Sequence, residues 1–194
     1  MPLLLASSSA IRQAMLDAAG VAHEAVPAGI DEAAVKATLG NEPATVALEL
    51  AKAKAAAVSA RHPDDWVIGS DSVVGVDGRL FDKPASRDDA AGHLRTFSGQ
   101  SMRLTSAVAL ARGGAIDWSH CQSATLHVRN LSEAFIADYL AREWPAVAQC
   151  VGVFRLEGPG VQLFEAIDGD HFTILGMPLL PLLGALRTRG MIPS

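Results

Sequence analysis

Two apolar runs, Val67-Ile68 and Val73-Val74, are joined by Gly69-Ser70-Asp71-Ser72. Short apolar runs bounded by polar and glycine residues read as buried strands. The pattern predicts strand segments over 67–70 and 72–76, with a carboxylate placed just past the end of the first. A buried carboxylate needs a partner, a metal or a raised pKa. Eleven residues after Asp71 comes Asp82-Lys83-Pro84. The proline holds Lys83 in an extended conformation and aims its side chain. A carboxylate and a lysine delivered by neighbouring strand ends suit a polyanionic ligand and its metal.

The rest of the chain places these residues in one α/β domain, taken as residues 1–194. That length supports one sizeable core, or a domain with two lobes. Leu3-Leu4-Leu5-Ala6 reads as a buried strand, followed by a helix over 11–19 with Met15, Leu16 and Ala19 on its inner face. Residues 23–26 read as a second strand. An Ala-rich helix over 46–59 follows Pro43, since alanine is the best helix former. Asp77-Gly78 reads as a hairpin turn. Further helices are expected over 90–97, 133–142 and 178–189. Residues 101–111 and 119–129 read as an antiparallel strand pair, and 152–156, 161–167 and 172–175 as short strands or glycine-rich loops. Helices alternating with hairpins imply a mixed sheet.

Composition narrows the function. The net charge is −5, from 16 basic and 21 acidic residues, with no basic run, so nucleic acid is not an expected partner. No apolar segment approaches the ~20 residues that span a bilayer, and the N-terminus lacks the basic region of a signal peptide. Cys121 and Cys150 stand in no metal-ligand spacing and read as reduced thiols of a cytoplasmic protein.

Several residues carry candidate chemistry. Ser7, Ser8, Ser9 and Arg12 stand at a strand-to-helix turn, where free N–H groups and the helix dipole favour phosphate. The plain alternative is a serine cap beside a solvent-facing arginine. Asp31-Glu32 offers oxygen ligands to Mg²⁺, or simply opens a helix. Lys52 and Lys54 lie on different helix faces, so at most one points into a site. Asp71 reads either as a metal-bound or general-base carboxylate or as a structural turn residue. Gln100 and Arg103 are weaker candidates.

In order and spacing these segments resemble the Maf (septum formation inhibitor) family of nucleoside triphosphate pyrophosphatases. The resemblance runs from Leu5-Ala6-Ser7-Ser8-Ser9-Ala10-Ile11-Arg12 through Asp31-Glu32, Leu50-Ala51-Lys52-Ala53-Lys54-Ala55, Gly69-Ser70-Asp71-Ser72, Lys83-Pro84 and Ser98-Gly99. It continues to Glu157-Gly158-Pro159-Gly160 and Leu175-Gly176-Met177-Pro178-Leu179. It implies a two-lobed, inosine-triphosphatase-like fold with an active-site cleft, a Mg²⁺ or Mn²⁺ cofactor, a homodimer and cleavage of nucleoside triphosphates to monophosphate and pyrophosphate. Housecleaning of modified nucleotides and a link to division arrest come with the family.

The same resemblance assigns Asp71 to activating water or holding the metal, with Glu32 as the second acidic ligand. Arg12, Lys54 and Lys83 neutralise the triphosphate, and Ser7, Ser8 and Ser9 cradle its oxygens. Gly69-Ser70-Asp71 and Cys150-Val151-Gly152-Val153-Phe154…Glu157-Gly158 are similar to the 7-methyl-GTP pyrophosphatase branch. Glu157 suits the donor edge of guanine, N1–H and N2–H₂. Ala10, Ile11, Ser72 and Met102 depart from the family pattern, and Ile11, Ser72 and Glu157 become the base-selecting positions. Two alternatives stand beside this reading: a nucleotide-binding division regulator without turnover, and an inosine-triphosphate pyrophosphatase.

Overall fold

The structure is a computed structural model describing residues 3–193. The expected domain 1–194 extends beyond it at both ends, and the Met1-Pro2 start of the N-terminal segment lies outside the described residues. In chain order the elements are β1 (Leu3–Leu5), α1 (Ala10–Ala18), β2 (Glu24–Ala25), α2 (Glu32–Ala37), α3 (Pro43–Arg61), β3 (Trp66–Val76), β4 (Arg79–Phe81), α4 (Arg87–Phe97), β5 (Ser101–Arg112), β6 (Ala115–Val128), α5 (Glu133–Glu143), β7 (Phe164–Asp168), α6 (His171–Ile174) and α7 (Leu179–Thr188). The strands form one sheet in the order β2-β1-β3-β5-β6-β7, with β4 also on β3. It is mixed, as expected: β1 is parallel to β2 and β3, β4 is antiparallel to β3, and β7 is antiparallel to β6.

The chain divides into two compact units. The first takes in the chain up to Ser72, Thr105–Gln122 and the chain from Asp170 onward. In it β1 is buried on both faces. Leu3 and Leu5 pack with Met15, Leu16 and Ile68 and with Leu182 and Leu186 of α7. Leu4 and Ala6, pointing the other way, pack with Val58 and Val67. Two buried faces explain why the strand reads as an unbroken apolar run rather than an alternating one. On the second face, α3 lies almost in backbone contact with β3. A Cβ at Gly69 would sit 2.2 Å from the Ala51 carbonyl oxygen and 2.8 Å from the Ala55 Cβ. The Ala-rich surface of α3 and the glycine of the strand are therefore one device for close approach.

The second unit comprises Val73–Leu104 and Ser123–Gly169. Its first hairpin turns at Asp77 and Gly78, both at positive φ, the backbone of a type I′ turn. Ser86 and Ser132 cap α4 and α5, each accepting a backbone N–H three residues on. Arg95 donates twice to the Glu133 carboxylate, at 2.8 Å each, tying α4 to α5. Phe81 of β4 and His93 and Phe97 of α4 form an aromatic cluster.

Three expectations need correction. The strand does not break at Gly69-Ser70-Asp71-Ser72: β3 runs unbroken from Trp66 to Val76. Its polar side chains are satisfied in place, so nothing forces them out of the strand. The Ser70 hydroxyl meets the Ala107 and Gly176 carbonyl oxygens at 2.9 and 3.0 Å, and Asp71 pairs with Lys54. Ala19 is exposed rather than on the inner face, because α1 ends at Ala18 and Ala19 is its C-cap. Residues 172–175 belong to α6 and its C-cap, since Asp170 caps a helical turn there through Thr173. The other two stretches read as short strands or loops agree with that reading: 152–156 is a loop, and 161–167 passes from a 3-10 turn into β7.

Candidate active site

The first unit holds most of the expected residues, and two of them, Glu32 and Asp71, meet at Lys54. Asp71, 7% exposed, lies within β3, and Lys54, 9% exposed, lies on the α3 face turned to it. The Lys54 ammonium donates to Asp71 Oδ1 at 2.5 Å and stands 2.8 Å from Glu32 Oε1. Lys52 instead pairs with Glu49 at 2.9 Å on the other side of the helix. Two positions along a helix are about 200° apart, which separates the two lysines. Asp31 is the N-cap of α2, its carboxylate accepting from Ala34 N–H at 3.0 Å. That cap places Glu32 in the first helical turn, where its side chain reaches Lys54. The acidic pair thus divides into a cap and a site residue.

Arg12 projects from α1 into the same region. Its Nε donates to the Gly176 carbonyl at 2.9 Å, Nη2 to Ser72 Oγ at 3.1 Å and Nη1 to Ser7 Oγ at 3.4 Å. Burial pushes its pKa down, while the carboxylates of Asp71 and Glu32 pull it back up. A guanidinium keeps its proton under all these influences. Arg12 is therefore a fixed positive charge bonded to β3 and to the segments after β1 and α6, not the solvent-facing side chain of the plain alternative. Ser9 takes the N-cap position but forms no side-chain cap; its N–H donates to Ser7 Oγ at 3.1 Å. Ser7 is buried, Ser8 exposed, Ser9 and Ile11 intermediate.

A network behind these residues was not among the sequence candidates. Ser106, fully buried on β5, donates to the Thr173 carbonyl at 2.7 Å. Ser106 Oγ also lies 2.7 Å from Ser72 Oγ, a contact in which either hydroxyl can donate, and the Ser72 hydroxyl has the Gly176 carbonyl at 3.2 Å as another acceptor. Ser72 Oγ presents a lone pair to Arg12 Nη2. A chain of hydrogen bonds links Arg12 through Ser72 and Ser106 to Thr173 of α6. The available signal was the pair Thr105-Ser106 in the otherwise apolar run 104–110, since a polar residue in a buried strand marks a required partner.

Lys83 and Glu157 belong to the second unit, and both are exposed. Both lie in electrostatic range of Cys150, whose thiol pKa is raised first by burial and then by Glu157, and lowered by Arg155 and Lys83. Lysine and glutamate thus share one neighbourhood of that unit. Burial thus disfavours the Cys150 thiolate, the reactive form of a cysteine.

Among the described residues no cluster of three acidic, histidine or cysteine side chains could cage a metal. What the first unit offers is two carboxylates converging on one point. Mg²⁺ is commonly held by one or two carboxylates plus substrate phosphates, not by an all-protein cage. Charge points the same way. Arg12 and Lys54 formally cancel Asp71 and Glu32, so the cluster has no surplus positive charge for a triphosphate until a divalent ion joins it. The residues present fit such an ion.

An α/β scaffold that presents paired carboxylates, a buried lysine and a clamped arginine defines a phosphate-handling protein. The comparisons agree with that class. The Maf-like protein family matches residues 2–189, and the chain belongs to that family. It is 53% identical over 193 residues to a Rhizobium etli protein named 7-methyl-GTP pyrophosphatase, covering 98% of this chain and 97% of the relative. A Granulibacter bethesdensis protein, named nucleoside triphosphate pyrophosphatase, is 46% identical over 190 residues and covers 96% of each chain. A Sphingopyxis alaskensis protein of the same name is 46% identical over 198 residues, covering both chains entirely. No helix of the described residues is long and apolar enough to cross a membrane.

Proposed function

We propose that this chain is a hydrolase that cleaves nucleoside triphosphates to the monophosphate and pyrophosphate. Guanine-type bases, including the 7-methylated form, are its preferred substrates. The observation that carries the reaction is the Glu32–Lys54–Asp71 cluster, with Lys54 held at 2.8 and 2.5 Å from the two carboxylates. Water attacks the α-phosphorus, the α–β bridging bond breaks, and pyrophosphate leaves with the bond's electron pair. Asp71 orients the water and accepts its proton. Lys54 and Arg12 neutralise the oxygens of the phosphoryl group as charge builds on them. Ser72 fixes Arg12 for that task. Lys83 supplies further positive charge to the triphosphate, and Glu157 accepts from the guanine edge. Asp71 and Glu32 would hold Mg²⁺ or Mn²⁺, which when bound supplies charge neutralisation and a more acidic water.

The test is pyrophosphate release by the purified protein, with Mg²⁺ or Mn²⁺, across guanosine, 7-methylguanosine, inosine, uridine and thymidine triphosphates. The proposal expects metal-dependent release of one pyrophosphate per monophosphate, with guanine-type substrates preferred. Binding without release would support a nucleotide-binding regulator instead. A dominant inosine triphosphatase activity would overturn the base assignment.

A further inference from the structure

The loop after α5 is built more tightly than an ordinary connection. Val153 sits at φ 56°, a conformation that β-branched residues rarely adopt. The fully buried Tyr139 donates to its carbonyl at 2.9 Å and holds it there. A Cβ at Gly160 would lie 2.5 Å from the Arg155 carbonyl oxygen, so the end of the loop is folded onto its middle. Strain that is over-determined by its surroundings is found where geometry matters to function.

Glu143, at the end of α5, is 4% exposed. Its Oε2 accepts from Arg155 Nε at 3.0 Å and from Nη2 at 2.8 Å. Arg155 lies two residues before Glu157. Its pKa is raised by the bond to Glu143 first and by the charge of Glu157 in addition. Arg155 thus stands in the field of two carboxylates, one buried and bonded to it, one exposed. No donor pairs with the Glu157 carboxylate among the described residues.

We infer that Glu143 sequesters Arg155, keeping it from pairing with Glu157 so that the Glu157 carboxylate stays open for the nucleobase. Glu143 is a positioning residue in this account; it touches no substrate. The inference rests on the reading of Glu157 as the base-selecting group. The physics is a competition. An arginine with a buried carboxylate partner gives up little to an exposed one, because exposed pairs contribute small energies. Remove the buried partner and Glu157, two residues away, is the other carboxylate whose field acts on Arg155. The arginine would then satisfy the acceptors meant for guanine N1–H and N2–H₂.

Four variants decide it: Glu157→Gln, Glu143→Gln, Arg155→Met and the double variant Glu143→Gln/Arg155→Met. The readout is the ratio of kcat/KM for guanosine over uridine triphosphate, with melting temperature measured alongside. Glu157→Gln should lower that ratio by about 5- to 100-fold, the range for a bidentate base contact. Glu143→Gln should lower it by about 5-fold or more, through KM for the guanosine substrate. The double variant should return to within about 3-fold of wild type, because no arginine remains to quench Glu157. If the pair merely braces the loop, the double variant will be at least as impaired as Glu143→Gln, and sequestration is overturned. Should Glu157→Gln leave the ratio unchanged, the base assignment itself fails. Arg155→Met leaves Glu143 buried without its partner, so it should lower the melting temperature while keeping the ratio. A collapsed ratio in that variant counts against sequestration.

Discussion

Replacing Lys54 with methionine tests how the site is held together. The substitution keeps the aliphatic stem and removes the ammonium that spans Asp71 and Glu32. Lys54 and Asp71 side chains are 11% and 10% exposed, whereas Glu32 is 46% exposed. The loss therefore falls on Asp71, while water can take up Glu32. Breaking a buried pair by deleting one partner costs about 3–5 kcal/mol. Arg12 is near enough to feel the Asp71 charge, which favours the lower end of that range. For a chain of this size, about 3 kcal/mol corresponds to a fall of roughly 6–12 °C in Tm. Asp71→Asn should cost less, about 1–2 kcal/mol, because Lys54 keeps Glu32 as partner. The double variant Lys54→Met/Asp71→Leu should recover at least half of the Lys54→Met loss, since a buried pair can be exchanged for apolar groups at little cost. Urea and thermal unfolding of the three variants supply the measurement. A Lys54→Met change below about 0.5 kcal/mol, the size of an exposed pair, would refute the claim that the cluster is desolvated. So would a double variant no more stable than Lys54→Met.

Three further outcomes follow from the same geometry. Gly69→Ala should destabilise by about 3 kcal/mol or more, because the added methyl meets the Ala51 carbonyl at 2.2 Å, and thermal melts of the purified variant will show it. Ser72→Ala leaves Arg12 Nη2 without its 3.1 Å acceptor and should lower kcat/KM by about 5–30-fold with the fold intact by circular dichroism. Tyr139 is the one tyrosine of the sequence, and burial raises its pKa far above the ordinary ~10. A folded pKa above the unfolded one gives stability that is complete below about pH 10 and is lost as pH rises toward the folded value. Tyrosinate absorbance of the native protein should therefore stay silent through pH ~10.5, appear on unfolding in urea, and vanish in Tyr139→Phe.

What was legible in the chain was the type of each element and the residues that look chemical. The triple leucine of β1, the Ala-rich α3 and the Asp77-Gly78 turn each carry a strong local cause, and each forms where expected. The error at β3 has an instructive origin. Gly-Ser-Asp-Ser is turn chemistry by local preference, but tertiary partners override it: Lys54, Ala107 and Gly176 satisfy the polar atoms, and Ala51 and Ala55 require the glycine. Those partners stand 17 to 106 positions away from the residues they satisfy, beyond any local pattern. Lys54 and Lys52 were separable by helical geometry, yet which of them faces the site came only from the family resemblance. The division of Asp31 and Glu32 into cap and site residue depended on where α2 begins. The Ser106–Thr173 link and the Glu143–Arg155 pair were invisible for the same reason: each joins residues whose roles exist only once the chain has folded.

The central claim is that Asp71 serves a hydrolytic reaction rather than bracing a strand. Pyrophosphate release by Asp71→Asn, at saturating guanosine triphosphate and Mg²⁺, tests it most directly, with nucleotide binding and melting temperature measured on the same sample. Loss of a positioned proton acceptor predicts a fall of about 10²–10⁴-fold in kcat, with nucleotide still bound and the protein still folded. A folded variant that retains kcat to within about 3-fold, where general-base roles contribute at least ~10², would contradict the account.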